Sequence, residues 1–171
     1  MSYHAIIVSQ YNAALAMLAG AVQKCPDELW NRAQDRNRFW RVAYHALFYT
    51  HLYLQDRHED FTFWEKHRAE YQLDGASGDP IQEGPNAVVC AKGDILEYVD
   101  FCRRLVTDKV PRLDLDAASG FHWLTFSKFE LQLYTIRHIQ QHAGELSERL
   151  GPDAGIDWVG SVKTQASSVT G

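Results

Sequence analysis

Apolar residues recur at helical spacing in several long stretches of this chain. In the first, Ile7, Tyr11, Ala14, Leu15, Leu18 and Val22 share one face, while Gln10, Gly20, Gln23 and Lys24 lie mostly away from it. Pro26 closes the pattern, which predicts a helix over about residues 3–23. A second helix is predicted over about 38–55, with Phe39, Val42, Ala46, Tyr49 and Leu52 on its buried side. Phe48 and Tyr53 widen that side, so this helix is expected to pack against more than one neighbour. The third, over about 92–109, buries Ile95, Tyr98, Val99, Cys102, Leu105 and Val106. It wets Asp94, Glu97, Arg103, Arg104 and Asp108 and stops before Pro111. The fourth, over about 127–150, opens on the capping-box pattern Ser127-Lys128-Phe129-Glu130. It runs without Gly or Pro to Gly144, and Gly151-Pro152 ends it.

The connections are uneven. Pro26 to Trp30 suits one short helical turn, and residues 31–37 are polar. Residues 56–90 form a long connection, with a short helix expected within Phe61–Leu73 and a turn-rich loop over Asp74–Pro80. A connection of that length can carry the chain the length of a bundle, leaving the second and third helices parallel. A further loop, Arg112 to Phe126, carries Phe121-His122-Trp123. The pattern as a whole predicts an all-α fold, a four-helix bundle in a single domain over residues 1–160. Residues 161–171 are expected to form a disordered polar tail.

Composition narrows the class. Hydrophobic residues make up 46% and charged residues 23%, which suits a globular domain. The formal charge of -5, with no basic block, argues against nucleic acid or an anionic membrane as partner. The first apolar stretch has no preceding Lys or Arg and is interrupted by Ser9, Gln10 and Asn12, so it reads neither as a signal peptide nor as a membrane span. Cys25, Cys90 and Cys102 are odd in number and widely spaced, so unpaired buried thiols in a cytoplasmic protein are expected. Cys102 reads as core filling.

The chemistry lies in the histidines. His138 and His142 are four residues apart, which on a helix sets both rings on one face, able to bind one divalent metal from the same side. Eight histidines in 171 residues give roughly 0.4 such pairs by chance, so the pair alone does not establish a site. His45 adds a third histidine, mid-helix and inward by its neighbours' periodicity. Three converging imidazoles, with nearest nitrogens about 3–4 Å apart, would hold one divalent ion and leave a position open. Binding would weaken as pH falls through about 6. His51, six residues past His45, is assigned to solvent, as are His58 and His67; His122 reads as a loop residue. Glu145 shares the face of His138 and His142, as a general base, as a group orienting a ligand, or as a rim carboxylate. Tyr11, Tyr49 and Tyr134 are candidates to line the pocket, the alternative being core packing. His4 sits near a helix end and is expected to fall short of the site.

Ala43-Tyr44-His45-Ala46-Leu47-Phe48 and Arg137-His138-Ile139-Gln140-Gln141-His142-Ala143-Gly144-Glu145-Leu146 resemble motifs of the DinB-like (YfiT-like) family of metal-dependent four-helix bundles. Gly155-Ile156-Asp157-Trp158-Val159 looks like that family's ending, which would pack a last aromatic on the bundle. The resemblance covers about residues 3–160 and assigns the metal to His45, His138 and His142. Many relatives carry a further histidine where this chain has Gln141. The family implies an up-down-down-up bundle, often a homodimer. Its activities are diverse, and some look like those of thiol S-transferases or metal-dependent hydrolases acting on small molecules. Zinc and nickel both suit imidazole. The competing class is a stress-response or binding module whose metal is structural or sensory.

Overall fold

Each long helix begins and ends where the local chemistry requires it. In the computed structural model, which describes residues 2–71 and 88–151, helix α1 spans Tyr3–Lys24. The Ser2 hydroxyl accepts from the amide of Ala5 at 3.2 Å, and Pro26 follows the last turn. A short helix α2 covers Asp27–Trp30. Helix α3 spans Phe39–Tyr53, one to two residues shorter at each end than the pattern predicts, within ordinary fraying. Helix α4 covers Lys92–Lys109 and α5 Lys128–Leu150. Ser127 caps α5 by accepting from the Glu130 amide at 3.2 Å, and Gly151, at φ 86°, ends it.

Both α4 and α5 pack on α1 and on α3, while α1 and α3 touch little directly. Between α3 and α4, paired positions advance together: Tyr44 meets Tyr98, the Cys102 thiol donates to the Leu47 carbonyl, and Lys109 donates to the Gln55 side chain. The same holds between α1 and α5, through Tyr3 with Phe129, Tyr11 with Gln132 and Met17 with Gln140. Between α3 and α5 the order reverses. The Lys128 ammonium donates to the carbonyls of Gln55 and Asp56 at one end, and Arg149 donates to the Asn37 carbonyl at the other.

Helix α3 is buried nearly all round, with Phe39, Trp40, Val42, Ala43, Tyr44, Ala46 and Leu47 in the core. Full burial of each large apolar side chain contributes roughly 1.5–3 kcal/mol. The segment before the described residues break off completes the cover. Trp64 stacks flat on Tyr98, with centroids 4.4 Å apart, and Tyr71 meets Trp40 and Tyr44 edge-on. That segment carries only short 3-10 turns, His58–Asp60 and Ala69–Tyr71, in place of the short helix expected within 61–73. The Asp74–Pro80 loop, the Gly155–Val159 ending and the 161–171 tail lie outside the described residues.

Two histidines assigned to solvent are packed instead. His51 is only 3% exposed; its Nδ1 lies 3.1 Å from the Tyr98 hydroxyl, and its ring packs on Phe61 and Phe101. Phe61, Tyr98 and Phe101 cover the side of α3 on which position 51 falls, so no solvent face is left there. His67 is half-buried, stacked on Phe63, with Nδ1 2.6 Å from the Tyr44 hydroxyl. Helix α1 also departs from the sequence reading: it is long and apolar enough to cross a membrane by length and composition. Half of its most apolar window is buried in the fold. Cys25, Cys90 and Cys102 are free and buried, and burial pushes the Cys90 thiol up to about 12.

Burial also fixes a pH dependence. Burial first, and the Lys109 ammonium second, hold the His51 imidazole down to about 4. In the unfolded chain the same group titrates near 6.5. Its folded value is depressed, so the unfolded state binds the extra proton between those values. The stabilisation is therefore complete above pH 6.5 and lost as pH falls toward 4, at roughly 1.4 kcal/mol per pH unit. Urea midpoints should fall between pH 7 and 5, and fall less steeply in His51→Gln. Equal slopes would contradict the assignment.

Candidate metal centre

His138 and His142 stand one turn apart on α5, and His45 stands mid-way along α3, where the two helices pack side by side. The centre of the α5 buried stripe is Leu131, Thr135, Ile139, Ala143 and Leu146, and the two histidines flank it. All three rings are half-buried rather than in the core. They occupy the seam between α3 and α5.

Nε2 of His138 lies 3.1 Å from Nε2 of His45 and 3.1 Å from Nε2 of His142. One nitrogen from each ring falls within a set whose members are all within 4.8 Å of one another. Nitrogens sharing a tetrahedral ion with bonds of 2.0–2.1 Å stand about 3.3 Å apart. The donor set fits a divalent cation on a second ground, the proton count. Nδ1 of His142 lies 3.2 Å from a carboxylate oxygen of Glu145, so Nδ1 carries the hydrogen and donates, and Nε2 presents its lone pair. Nε2 of His138 is either a donor or an acceptor. As a donor it serves one neighbour; as an acceptor it faces the lone pair of His142. Neutral imidazoles therefore satisfy one of the two close contacts, and a cation among them satisfies both.

Electrostatics agree. Burial, then the neighbouring imidazoles of His142 and His138, hold His45 down to about 3; burial, then His142, hold His138 down to about 4. Both are neutral, as ligands must be. Proton competition from these two is thus displaced below the value near 6 expected for free imidazole. The site is asymmetric: Nδ1 of His138 is buried with no hydrogen-bond partner among the described residues, whereas Nδ1 of His142 is braced.

Glu145 is engaged on both oxygens, one by His142 and one by Arg149. The His142 hydrogen bond, followed by the Arg149 charge, holds its carboxyl below the ordinary range. Both oxygens of this carboxylate are thus occupied, one of them on a ring of the cluster. Tyr49 meets His45 and His138 edge-on, with centroids 4.8 and 5.7 Å away, and lines the site. Tyr134 packs instead with Tyr53, Phe126 and Arg137. Tyr11 is fully buried, its hydroxyl donating to Gln132 at 2.9 Å, a core packing role. Gln141 is exposed. His4 is committed elsewhere, to the Leu113 carbonyl at 2.9 Å.

Sequence reasoning passed over Arg149. Its spacing of four from Glu145 was the available signal. Two clefts, of about 570 Å³ beside His51 and Trp64 and about 590 Å³ at the Asp116–Ser127 loop, include none of the three histidines in their walls. No family model, curated protein or solved structure matches the chain.

Proposed function

We propose that this chain is a metal-dependent enzyme of the DinB-like (YfiT-like) type, acting on a small thiol or a hydrolysable small molecule at His45, His138 and His142. The observation that carries the reading is the pair of 3.1 Å Nε2 contacts that neutral imidazoles alone leave half unsatisfied. The proposal includes an up-down-down-up four-helix bundle, which the helix pairings above support. Zinc or nickel is the proposed ion, since both suit three imidazoles. A homodimer in the cytoplasm is part of the same reading.

His45, His138 and His142 would hold the divalent ion as neutral imidazoles, and the ion would supply Lewis-acid chemistry there. The chain does the rest. Glu145 fixes the His142 tautomer so that Nε2 faces the site. Tyr49 walls one side with its ring edge. The three rings are half-buried, so the cluster has solvent on one side and packed helix on the other.

The test is elemental analysis of untagged protein, followed by screening of the metal-loaded form against thiol-transfer and hydrolytic substrates. One equivalent of zinc or nickel per chain is expected. A chain that binds neither ion above background would overturn the proposal.

A further inference from the structure

We infer that Arg149 is a positioning residue for the histidine centre, and that it sets the affinity of the site through Glu145. The inference rests on the metal reading above. Arg149 lies in the last turn of α5 and touches none of the three histidines in the hydrogen-bond network. Its NH2 group donates to Oε1 of Glu145, and its NH1 group donates to the Asn37 carbonyl at 2.8 Å, just before α3. Oε2 of the same carboxylate faces Nδ1 of His142 at 3.2 Å. One guanidinium therefore ties three things together: the start of α3, the carboxylate, and through it the ring of a ligand.

Each link has a physical task. The planar guanidinium offers donors in a fixed fork, so binding Asn37 and Glu145 at once fixes the position of the carboxylate. Arg149 is 20% exposed and Glu145 37% exposed, so the carboxylate has solvent beside it and other rotamers open to it. Without Arg149, Glu145 is free to leave His142. The His142 proton is then free to move to Nε2, and the nitrogen facing the site loses its lone pair. His138 cannot compensate, because its own Nδ1 has no partner among the described residues. The Glu145 carboxylate thus orients a ring of this cluster from outside it, through His142. Loss of an outer partner of a metal-binding histidine costs about 10–100-fold in affinity.

Arg149→Met removes the donors at similar length; Arg149→Lys keeps the charge but replaces the rigid fork that spans Asn37 and Glu145 with a single ammonium nitrogen. Zinc affinity is read by competition with a chromophoric chelator, and the His142 tautomer by ¹⁵N chemical shifts of the metal-free protein near pH 7.5. Circular dichroism and urea unfolding report whether each variant is folded. We expect Arg149→Met to bind zinc at least 10-fold more weakly, with His142 changing from Nδ1-protonated to a tautomer mixture. Arg149→Lys should fall between. If wild-type protein binds zinc and Arg149→Met binds it equally with unchanged nitrogen shifts, the inference fails and the metal reading stands. Weaker binding without a change at His142 also overturns it. A wild-type chain that binds no zinc or nickel overturns both.

Discussion

His142→Ala is expected to abolish stoichiometric metal while leaving the chain helical. The imidazole supplies one of three converging nitrogens, and its removal leaves His45 and His138 with a lone 3.1 Å contact. A site reduced from three ligands to two should lose about a hundredfold or more in affinity. The fold should survive, because the α5 core stripe of Leu131, Ile139, Ala143 and Leu146 does not include His142. Gln141→Ala is the control: it is the next residue, exposed, and outside the cluster. Metal content and far-UV circular dichroism measured on the two variants separate the effects. Retention of one equivalent by His142→Ala would mean that the ligands are wrongly named.

Gly120→Ala is expected to cost about 3 kcal/mol or more of stability, at a position outside the histidine cluster. Gly120 sits at φ +88°, where side chains other than glycine's are strained. A Cβ there would stand 1.9 Å from the Asp56 carbonyl oxygen and 2.9 Å from its carbon, both backbone atoms that cannot swing aside. The close approach exists because the Gly120 carbonyl accepts from the His58 amide at 3.2 Å. Lys128, 4% exposed, gathers the carbonyls of Gln55, Asp56 and Ser119 beside it. This knot holds the start of α5 to the end of α3. Gly144→Ala makes the contrast: nothing lies within 4 Å of its Cβ, and alanine in a helix should stabilise by about 0.5–1 kcal/mol. Urea denaturation of both variants tests the pair, and equal midpoints would exclude the close approach.

Helix ends were legible because they depend on local chemistry. Ser127, Pro26 and Pro111 act within a turn of their own position: α1 and α4 end two residues before their prolines, and α5 begins one residue after Ser127. The histidine pair was legible for the same reason, since a spacing of four fixes two rings on one side of a helix. Depth was not. Periodicity gives a face but not its centre, and Ile139 and Ala143 took the centre of α5, leaving His138 and His142 on its flank. His51 was misplaced because its cover comes from Tyr98 and Phe101, on a helix about fifty residues downstream. His67 depends on Tyr44 in the same way, 23 residues away with no spacing rule between them. The Arg149 contact with the Asn37 carbonyl spans 112 residues and involves a backbone atom, which no side-chain pattern encodes.

The seam between α3 and α5 has a consequence for the order in which the molecule is made. His45 and His138 are 93 residues apart, and α5 is the last helix of the described residues to leave the ribosome. Until it emerges, the faces of α1 and α3 that receive it have no cover, because α4 packs on other sides of both. A nascent chain halted before residue 138 contains one of the three histidines and no cluster at all. Such a chain also presents Tyr11 and Tyr53, whose partners Gln132 and Tyr134 lie on α5, to whatever else is in solution. Synthesis of α5, its docking and assembly of the histidine cluster are therefore coupled, and products truncated before α5 are the form of these residues most exposed to aggregation.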